Sequence, residues 1–306
     1  RLYAAIEMAC LDIQGKALGR PLCELLGGPG RDRIAMIAYL FWRYDRPGGG
    51  HDEHPEDMAD LCQELHETLG VTAMKLKAGV LAPEVEVRAV ELCRDRMGPE
   101  FGLRIDPNGV WSVPTAIRIG QRLEAVGLEY LEDPSWGLEG NAAVRKAVRI
   151  PIATNMYPAK FDDLGPAIRL GAVDIVLTDI HYWEGPRGVK DLAAVCRTFG
   201  LGVAMHSGAE FGIELAAMLH TAATIPEMSF AGDAHYHYLT DDIIEGGLMR
   251  YEGGAIRVPT GPGLGVTLDE DKMRHYAAFY EEKGDYYARF HQDPYRPDWY
   301  PVVGGL

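Results

Sequence analysis

The sequence predicts an α/β protein whose core is a TIM-type barrel, and three observations carry this prediction. Short apolar runs typical of buried strands recur along the 306 residues, and each ends in a polar or ionisable side chain. These endings follow one another at intervals of roughly 25 residues, close to the length of a strand, a helix and their connections. Segments with helical spacing of apolar residues lie between them. Eight such units closing on themselves form a barrel, whereas an open doubly wound sheet rarely contains eight units this regular.

The first residues follow helical spacing, which predicts that the sequence begins within a helix. Its apolar positions share one face and are Leu2, Ala5, Ile6, Ala9 and Ile13, and Gly19-Arg20-Pro21 ends the helix near residue 18. Arg1 stands where an initiator Met would, so we expect the natural protein to have a further N-terminal portion. A short second helix is predicted at residues 21–26.

The rest of the chain alternates between strands and helices. Strands are predicted at residues 34–40, 71–76, 101–105, 128–132, 150–154, 173–178, 201–205 and 228–232. Helices are predicted between them at residues 55–69, 83–97, 113–126, 139–147, 159–170, 187–199 and 210–224. The pair Gly253-Gly254 predicts a hairpin within residues 248–258, and a last helix is expected at residues 269–283.

Two segments lie outside this alternation. The loop of residues 41–54 has three consecutive glycines at its centre, and four of its side chains could either be solvated or recognise a distal carboxylate: Arg43, Arg46, His51 and His54. The C-terminal tail is rich in aromatic residues, namely Tyr286, Tyr287, Phe290, Tyr295, Trp299 and Tyr300. We expect the tail to pack on the barrel or on a neighbouring subunit, and the protein to be a homo-oligomer.

Composition narrows the classes of partner. The formal net charge of −15 and the pI near 5.1 argue against nucleic acid and anionic membrane surfaces. The five cysteines are scattered and include no CxxC pair, which is typical of a reduced, cytoplasmic protein. No apolar run approaches the roughly 18 residues that a membrane span requires.

Polar residues at the strand ends form the candidate site. They are Lys75, Asp106, Glu132, Asn155, Asp179, His206 and Asp233. Since active sites of TIM barrels lie at the carboxyl ends of the strands, these side chains are expected to converge on one mouth. A single acid before a turn, such as Asp106 before Pro-Asn-Gly, is more often a turn former. Asp106, Glu132 and Asn155 on three successive strands, however, offer oxygen ligands suited to Mg²⁺, whereas Zn²⁺ would favour His or Cys.

Two further pairs indicate acid–base chemistry. Lys75 and Lys77 point to the same face because side chains alternate along a strand. Each cation, together with the metal, is expected to lower the pKa of the other, which would help a lysine act as a base. Asp179 could hold one imidazole nitrogen of His206 and leave the other for proton transfer. A single His is more often structural, but this pair faces the lysines across the predicted metal site.

Six ordered segments carry a resemblance to a known family. They are Lys75-Leu76-Lys77, Asp106-Pro107-Asn108-Gly109, Glu132-Asp133-Pro134, Ala153-Thr154-Asn155-Met156, Asp179-Ile180-His181-Tyr182-Trp183 and His206-Ser207. This set resembles the enolase superfamily (mandelate racemase/muconate lactonizing enzyme-like), and within its mandelate racemase branch the glucarate dehydratase-like subgroup. The segment from Val258 to Val266 is similar to that family's closing segment, and Ala5 to Gly28 resembles the last helices of its capping domain.

The resemblance implies a (β/α)7β barrel with remnants of an α+β capping domain. Residues 1–30 would end the capping domain, residues 31–247 would form the barrel, and residues 248–306 would return to the capping domain. It also implies a metal set and catalytic roles. Mg²⁺ would be held by Asp106, Glu132 and Asn155, with Lys77 as base, Lys75 as its electrostatic partner, His206 oriented by Asp179 on the other face, and Asn108, Asp233 and Ser207 near the substrate.

The function that this resemblance implies is a hydro-lyase of carbohydrate catabolism acting on an acid sugar. The proton α to a carboxylate leaves to give an enediolate, and loss of the β-hydroxyl yields a 2-keto-3-deoxy acid. One departure concerns the substrate. The family has Ser-Asn-Asn after the histidine, whereas this chain has Ser207-Gly208-Ala209. Losing such hydrogen-bond donors can change discrimination by up to roughly 10⁴-fold, so glucarate itself does not follow.

Two other readings stay open on the sequence alone. Lys77 and His206 on opposite faces would also allow the proton to be returned, which would make the protein a racemase or epimerase of a 2-hydroxy acid. A non-catalytic barrel used for binding is the third reading. The retained set of seven polar strand ends weakens it.

Overall fold

The computed structural model describes residues 2–43 and 54–283. Its centre is a seven-stranded parallel sheet in the order β2-β3-β4-β5-β6-β7-β8, curled into an α/β barrel. The strands are β2 Ala38–Leu40, β3 Ala73–Lys77, β4 Gly102–Asp106, β5 Tyr130–Glu132, β6 Ile152–Thr154, β7 Ile175–Thr178 and β8 Gly202–Met205. The helices after β2 to β8 are α3 Pro55–Leu69, α4 Pro83–Met97, α5 Val113–Leu123, α6 Gly137–Ala147, α7 Phe161–Leu170, α8 Pro186–Phe199 and α9 Gly212–Ala223. The predicted fold class is confirmed.

Strand register places the polar residues of neighbouring strands side by side. In the β3–β4 pair, Lys75 lies opposite Arg104 and Lys77 opposite Asp106. Because side chains alternate along each strand, these four residues point to one face of the sheet, and Glu132 ends the next strand beside them. The apolar residues between them, such as Leu76 and Ile105, are fully buried on the other face against the helices.

The predicted strand 34–40 is two strands. β1 (Arg33–Ala35) pairs antiparallel with β10 (Ala255–Arg257), and only β2 belongs to the barrel sheet. The chain changes partners between them, since the Met36 N–H donates to Gly254 O at 2.8 Å and the Ile37 N–H to Gly232 O at 3.0 Å. A continuous apolar run does not reveal such a change of partner.

The predicted strand 228–232 is not a regular strand. It makes isolated parallel bridges, Met228 to Val203 on one side and Gly232 to Met36 on the other. Two backbone bonds extend these links, from the Gly232 N–H to Ala35 O at 2.8 Å and from the Asp233 N–H to Met205 O at 2.9 Å. The segment therefore joins the two edges of the sheet in place of an eighth strand.

The predicted hairpin after residue 248 is confirmed. β9 (Tyr251–Glu252) and β10 pair antiparallel, and with β1 they make a three-stranded sheet in the order β1-β10-β9. A 3-10 turn at Tyr236–Tyr238 precedes this sheet, and α10 (Glu270–Lys283) follows it.

The first helix, α1 (Leu2–Leu18), buries a different face from the one that its apolar spacing predicted. Its buried residues are Ala4, Glu7, Leu11 and Gly15, whereas Leu2, Ala5, Ile6, Ala9 and Ile13 are exposed. The reason is close backbone packing: a Cβ on Gly15 would lie 2.6 Å from the Cα of Gly263. The helix α2 (Leu22–Leu25) follows, and the loop at Gly263 contacts both helices: the Leu264 N–H donates to Asp12 Oδ1 at 2.9 Å, and the Leu22 N–H donates to Gly263 O at 2.7 Å.

Two sequence predictions concern residues outside the described part. Arg46 and His51 of the loop, and the aromatic tail after residue 283, are not described by the structure. None of the described helices is long and apolar enough to cross a membrane. Cys23, Cys62, Cys93 and Cys196 are buried thiols, whereas Cys10 is exposed.

Candidate active site

Lys75 lies at the bottom of the site in a closed network of charges. Its Nζ donates to Glu132 Oε2 at 2.6 Å and to Asp233 Oδ2. Arg104 Nη1 and the Tyr39 hydroxyl also donate to Asp233, each at 3.3 Å. Lys75, Arg104, Glu132 and Asp233 are fully buried. The network therefore holds one lysine as a permanent cation below the mouth.

The pKa of Lys75 differs from the sequence prediction. Burial alone would lower it, but the carboxylates of Asp233 and Glu132 outweigh burial and raise the pKa well above the usual value. The expectation that the two lysines and the metal lower one another's pKa is wrong for Lys75, because two carboxylates contact its ammonium group. Lys75 stays charged and cannot take a proton near neutral pH.

Lys77 lies one layer higher and reaches the mouth. Its Nζ donates to Asp106 Oδ2 and, at 3.2 Å, to Asn108 Oδ1, and its side chain is 14% exposed. The Asn108 N–H donates to Asp106 Oδ1 at 2.8 Å, and Asn108 has a φ of 51°. The Pro-Asn-Gly turn thus folds back onto the acid that precedes it and brings the Asn108 side chain to Lys77.

Asn155 completes the set of oxygen donors predicted for a metal. When its amide oxygen points at the strand ends, that oxygen lies 3.1 Å from Glu132 Oε1 and 3.1 Å from Asp133 Oδ2. Three acceptors then face one another, an arrangement that a bound cation would stabilise. With the amide reversed, its nitrogen donates to both carboxylates and its oxygen accepts from His206 Nε2 at 3.2 Å.

The negative charges of the carboxylates in this set would favour a bound cation electrostatically. Burial, and next the charge of Asp106, raise the pKa of Glu132 well above its usual value. Among the described residues no three His, Cys, Asp or Glu side chains are placed to hold a metal, so the set depends on the amide of Asn155. Asp106, Glu132 and Asn155 fit a hard cation such as Mg²⁺ by donor chemistry.

Asp133 fixes the Asn155 backbone and was missed as a site residue. Its Oδ2 accepts from the Asn155 N–H at 3.0 Å, and its Oδ1 accepts from the Thr154 hydroxyl. Asp133 has a φ of 36°, and burial followed by the charge of Asp106 raises its pKa to about 7. The Glu-Asp-Pro motif places Asp133 next to a predicted metal ligand, but nothing in the sequence distinguishes the role of a second acid at that position.

Asp179 and His206 form the predicted pair. His206 Nδ1 lies 2.9 Å from Asp179 Oδ2, and both residues are buried. The other oxygen, Oδ1, accepts from the His181 N–H at 2.7 Å and lies 3.2 Å from His181 Nδ1, while His181 Nε2 lies 3.1 Å from Glu214. Burial opposes ionisation of Asp179, but the bonds from His181 and His206 prevail and lower its pKa. An ionised Asp179 fixes the proton on His206 Nδ1 and leaves Nε2 facing Asn155.

The residues predicted near the substrate lie at different depths. Asn108 is partly exposed beside Lys77. Asp233 is fully buried in the Lys75 network, and Ser207 is 2% exposed, so neither faces open space. For Asp233 this favours a positioning role, because its two oxygens already bind Lys75, Arg104 and Tyr39.

His235 and two loop residues complete the surroundings. The His235 ring stacks on Tyr39 with centroids 4.1 Å apart, and the ammonium groups of Lys75 and Lys77 lie 4.9 and 5.8 Å from the centroid of the Tyr39 ring. His235 was missed because nothing in the sequence marks it. In the predicted recognition loop, Arg43 lies 5.8 Å from the Tyr238 ring, and His54 precedes α3, where its N–H donates to Asp57 at 2.7 Å.

With this geometry in place, comparison with known proteins gives the family. Residues 57–272 match the family model described as Enolase C-terminal domain-like. The chain belongs to the enolase superfamily. A probable glucarate dehydratase of Streptomyces coelicolor is 43% identical over 281 residues, which are 89% of this chain and 64% of that protein. A chloromuconate cycloisomerase of Cupriavidus pinatubonensis is 29% identical over 90% of this chain and 72% of its own length.

Solved structures of the same superfamily share the fold and extend beyond this chain. An enolase from Mycobacterium smegmatis complexed with tartrate has a TM-score of 0.91 and 39% identity, covering 99% of this chain and 75% of that one. An enolase from Thermobispora bispora complexed with magnesium and formate has a TM-score of 0.90 and 39% identity, covering 99% and 74%. The chain thus spans about two thirds to three quarters of these relatives, and its similarity to glucarate dehydratase-like members agrees with the motifs.

Proposed function

We propose that the chain is the barrel of a Mg²⁺-dependent acid-sugar dehydratase. The observation that carries this proposal is the order of groups along the sheet. Lys77 ends β3, the oxygen set of Asp106, Glu132 and Asn155 occupies the ends of β4 to β6, and the Asp179–His206 pair follows β7 and β8. A base, three metal-ligating oxygens and a second acid–base group therefore surround one mouth. Similarity to a probable glucarate dehydratase supports the same reaction class.

The predicted metal supplies one kind of chemistry. When bound to Asp106, Glu132 and Asn155, Mg²⁺ would hold a substrate carboxylate and stabilise the charge that develops as the α-proton leaves. The metal-containing relatives support this choice of ion.

The two lysines have separate tasks in this proposal. Lys77, as the neutral amine, takes the α-proton and becomes the ammonium, because it is the lysine whose Nζ reaches the mouth, where it contacts Asp106 and Asn108. Lys75 stays charged below it and fixes Glu132 and Asp233. Lys75 thus acts as a constant positive charge and not as a second base.

His206 acts on the other side of the substrate. Asp179 holds Nδ1, so Nε2 is the nitrogen available for proton transfer. In a dehydration, His206 would act as the imidazolium, protonated on both nitrogens, and give its Nε2 proton to the β-hydroxyl as the C–O bond breaks and water leaves.

A second candidate follows from the same geometry. With Lys77 and His206 both beside the substrate, a proton removed by one could be returned by the other, giving a racemase or epimerase of a 2-hydroxy acid. The similarity to a cycloisomerase supports considering a reaction in which no β-hydroxyl is eliminated. The substrate class and the division at residues 30 and 247 are likewise proposals that rest on the resemblance, and the homo-oligomer is a proposal as well.

One experiment separates these outcomes. The full-length protein is incubated with Mg²⁺ and a library of aldonic and aldaric acids in D₂O, and both keto product and deuterium in recovered substrate are measured. A 2-keto-3-deoxy product supports the dehydratase, whereas deuterium uptake without keto product supports the epimerase. Absence of both, together with no Mg²⁺ binding by calorimetry, would leave only a non-catalytic barrel.

A further inference from the structure

A buried hydrogen-bonded chain links the mouth of the site to a carboxylate that the proposed reaction does not use. The Ser207 hydroxyl contacts Glu210 Oε2 and lies 2.7 Å from His235 Nδ1. Glu210 is only 2% exposed, and its other oxygen, Oε1, has no hydrogen-bond partner among the described residues. The Tyr251 hydroxyl on β9 is likewise buried without a partner. Burial of a carboxyl group with an unpaired oxygen costs free energy, which points to a role for Glu210 in the site.

The other end of the chain is the imidazole of His235. Its backbone N–H also donates to Ser207 Oγ, at 3.2 Å, and its ring is stacked on Tyr39, so the ring has little freedom to turn. The Nε2 atom makes no hydrogen bond to the described residues. Burial, and next the charges of Lys77, His206 and Lys75, lower the pKa of His235 well below its usual value, while Asp233 acts in the opposite direction. His235 is therefore neutral at physiological pH, with one proton on one of its two nitrogens.

We infer that Glu210 is a positioning residue which, through Ser207, sets the nitrogen of His235 that carries the proton, and so decides whether Nε2 accepts or donates a hydrogen bond. The reason is that the Ser207 hydroxyl has a single proton to donate. When Glu210 is ionised, Ser207 donates to it, Nδ1 must carry the proton, and Nε2 is an acceptor. When Glu210 is protonated, Glu210 donates to Ser207, Ser207 donates to Nδ1, and Nε2 is a donor.

The two states differ by one bound proton. A proton from solvent binds Nε2, the Nδ1 proton passes to Ser207 Oγ, and the former hydroxyl proton of Ser207 passes to Glu210. Burial raises the pKa of Glu210 to about 7, with the charges of Glu214 and Asp233 acting in the same direction and the Ser207 bond against it. Both states are therefore populated near neutral pH, and the nearby Tyr251 stays protonated because burial raises its pKa also.

The consequence for the substrate rests on the proposed function, although the tautomer itself does not. A donor at Nε2 suits a carboxylate, whereas an acceptor at Nε2 suits a hydroxyl and repels a carboxylate. Because Gly208 and Ala209, which follow Ser207, carry no side-chain hydrogen-bond donor, this segment offers few donors to an acid sugar. His235 would then favour substrates with a second carboxylate below about pH 7, with KM rising about tenfold above it.

The test is a tautomer measurement that requires no activity. The full chain is labelled with ¹⁵N-histidine, His235 is assigned with the variant His235→Gln, and its two nitrogen resonances are followed from about pH 5.5 to about pH 8.5. We expect Nδ1 and Nε2 to exchange protonated and unprotonated character with a midpoint near 7. We expect Glu210→Gln to abolish this pH dependence, whereas the control Glu214→Gln keeps it with a lower midpoint, because the Glu214 charge raises the pKa of Glu210.

Two results would overturn the inference. One is a single His235 tautomer over the whole range in the unsubstituted protein, which requires no variant to fold. The other is an interconversion that persists in Glu210→Gln. Loss of the acid-sugar reaction would refute the proposed function but leave the tautomer result intact, so the two failures are distinguishable.

Discussion

Lys75 and Lys77 lie two residues apart on one face of β3, and their surroundings separate them. Lys75 has two buried carboxylates on its ammonium group, and Lys77 has one carboxylate at a rim that water reaches. We expect Lys75→Met to lower the free energy of unfolding by about 3–5 kcal/mol, since it leaves buried charges unpaired. Lys77→Met should cost less, about 1–2 kcal/mol, because it leaves one carboxylate without its cation and the Asn108 N–H still donates to that carboxylate. Urea denaturation of the two variants in parallel provides the comparison, and equal losses would contradict it.

Asp179 allows a test of which group removes the α-proton. Asp179→Asn keeps the size of the side chain but removes the carboxylate charge that stabilises His206 as an imidazolium, the form that can protonate the leaving hydroxyl. We expect dehydration to fall by roughly 10³-fold or more, while deuterium exchange at the α-carbon through Lys77 persists. The matched control is Asp174→Asn, whose carboxylate pairs with Arg145 outside the site and should leave both rates unchanged. Loss of exchange in Asp179→Asn would identify His206 as the base.

At the residue scale, the sequence predicted the polar residue at the end of each strand. A polar residue after an apolar run is visible, and Lys75, Lys77, Asp106, Glu132 and Asn155 do lie close together. Arg104 was missed although it precedes Asp106 by two and therefore shares its face. The link from Glu210 through Ser207 to His235 was not predictable, because its members meet only when the 228–233 segment joins the sheet edges.

At the element scale, the loop after β3 supports the turn after β4. The carboxylate of Glu86 accepts from the N–H groups of Gly79, Val80 and Leu81 at 2.9–3.0 Å. Gly79 has a φ of 79°, and a Cβ there would lie 2.6 Å from Pro107 O and 2.4 Å from the Val110 side chain. The loop thus presses on the turn that carries Asp106 and Asn108.

This contact gives a prediction with a closely matched control. Gly79→Ala adds a methyl group against the Pro107–Val110 turn, whereas Gly200→Ala has a similar φ, 70°, in the left-handed helical region, with nothing within 4 Å of the new Cβ. Both variants have the strain of a positive φ, about 1 kcal/mol, but only Gly79→Ala has the clash, which adds about 1–3 kcal/mol. We also expect Gly79→Ala alone to weaken Mn²⁺ or Mg²⁺ binding in calorimetry. Equal stability and equal metal affinity of the two variants would show that the loop does not support the turn.

The division of residues 33–40 between two sheets shows the limit of periodicity at this scale. Ile34 and Leu40 belong to one apolar run, and both are buried, so no break is visible in the sequence between them. The break comes from partners more than 190 residues away, Gly232 and Gly254, which take the N–H groups of Ile37 and Met36. Alternation of strands and helices identifies the barrel, but the pairing of each residue depends on distant segments.

At the scale of the whole molecule, buried ionisable groups determine how stability changes with pH. Burial raises the pKa of Glu86, Glu210 and Glu214 to about 7. Folded protein therefore binds more protons than unfolded protein between about pH 4.5 and 7, and these groups lose their contribution to stability as pH rises through that window. Asp133 acts in the same direction.

Buried histidines act in the opposite direction but over a different range. Burial lowers the pKa of His220, His235 and His237, the last to about 4. Unfolding then takes up protons up to about pH 7.5, one unit above the usual histidine pKa of about 6.5, so these groups increase stability as pH rises through that value. The two sets partly cancel up to about pH 7.5, and only the carboxylates act above it.

The free energy of unfolding should therefore decrease between about pH 6.5 and pH 8.5: the three glutamates together lower it by about 2 kcal/mol, and the histidines offset about 1 kcal/mol of this. Urea denaturation across this range, without added Mg²⁺, measures the decrease. Glu210→Gln should remove about a third of the glutamates' contribution, because the amide does not titrate. Glu84→Gln is the matched control: Glu84 is solvent-exposed, and its hydrogen bond from Arg118 lowers its pKa, so the change should leave the decrease as it is. A stability that stays constant from pH 6.5 to pH 8.5 would mean that these carboxyl groups are ionised in the folded protein, and that water or a neighbouring donor reaches them despite their burial.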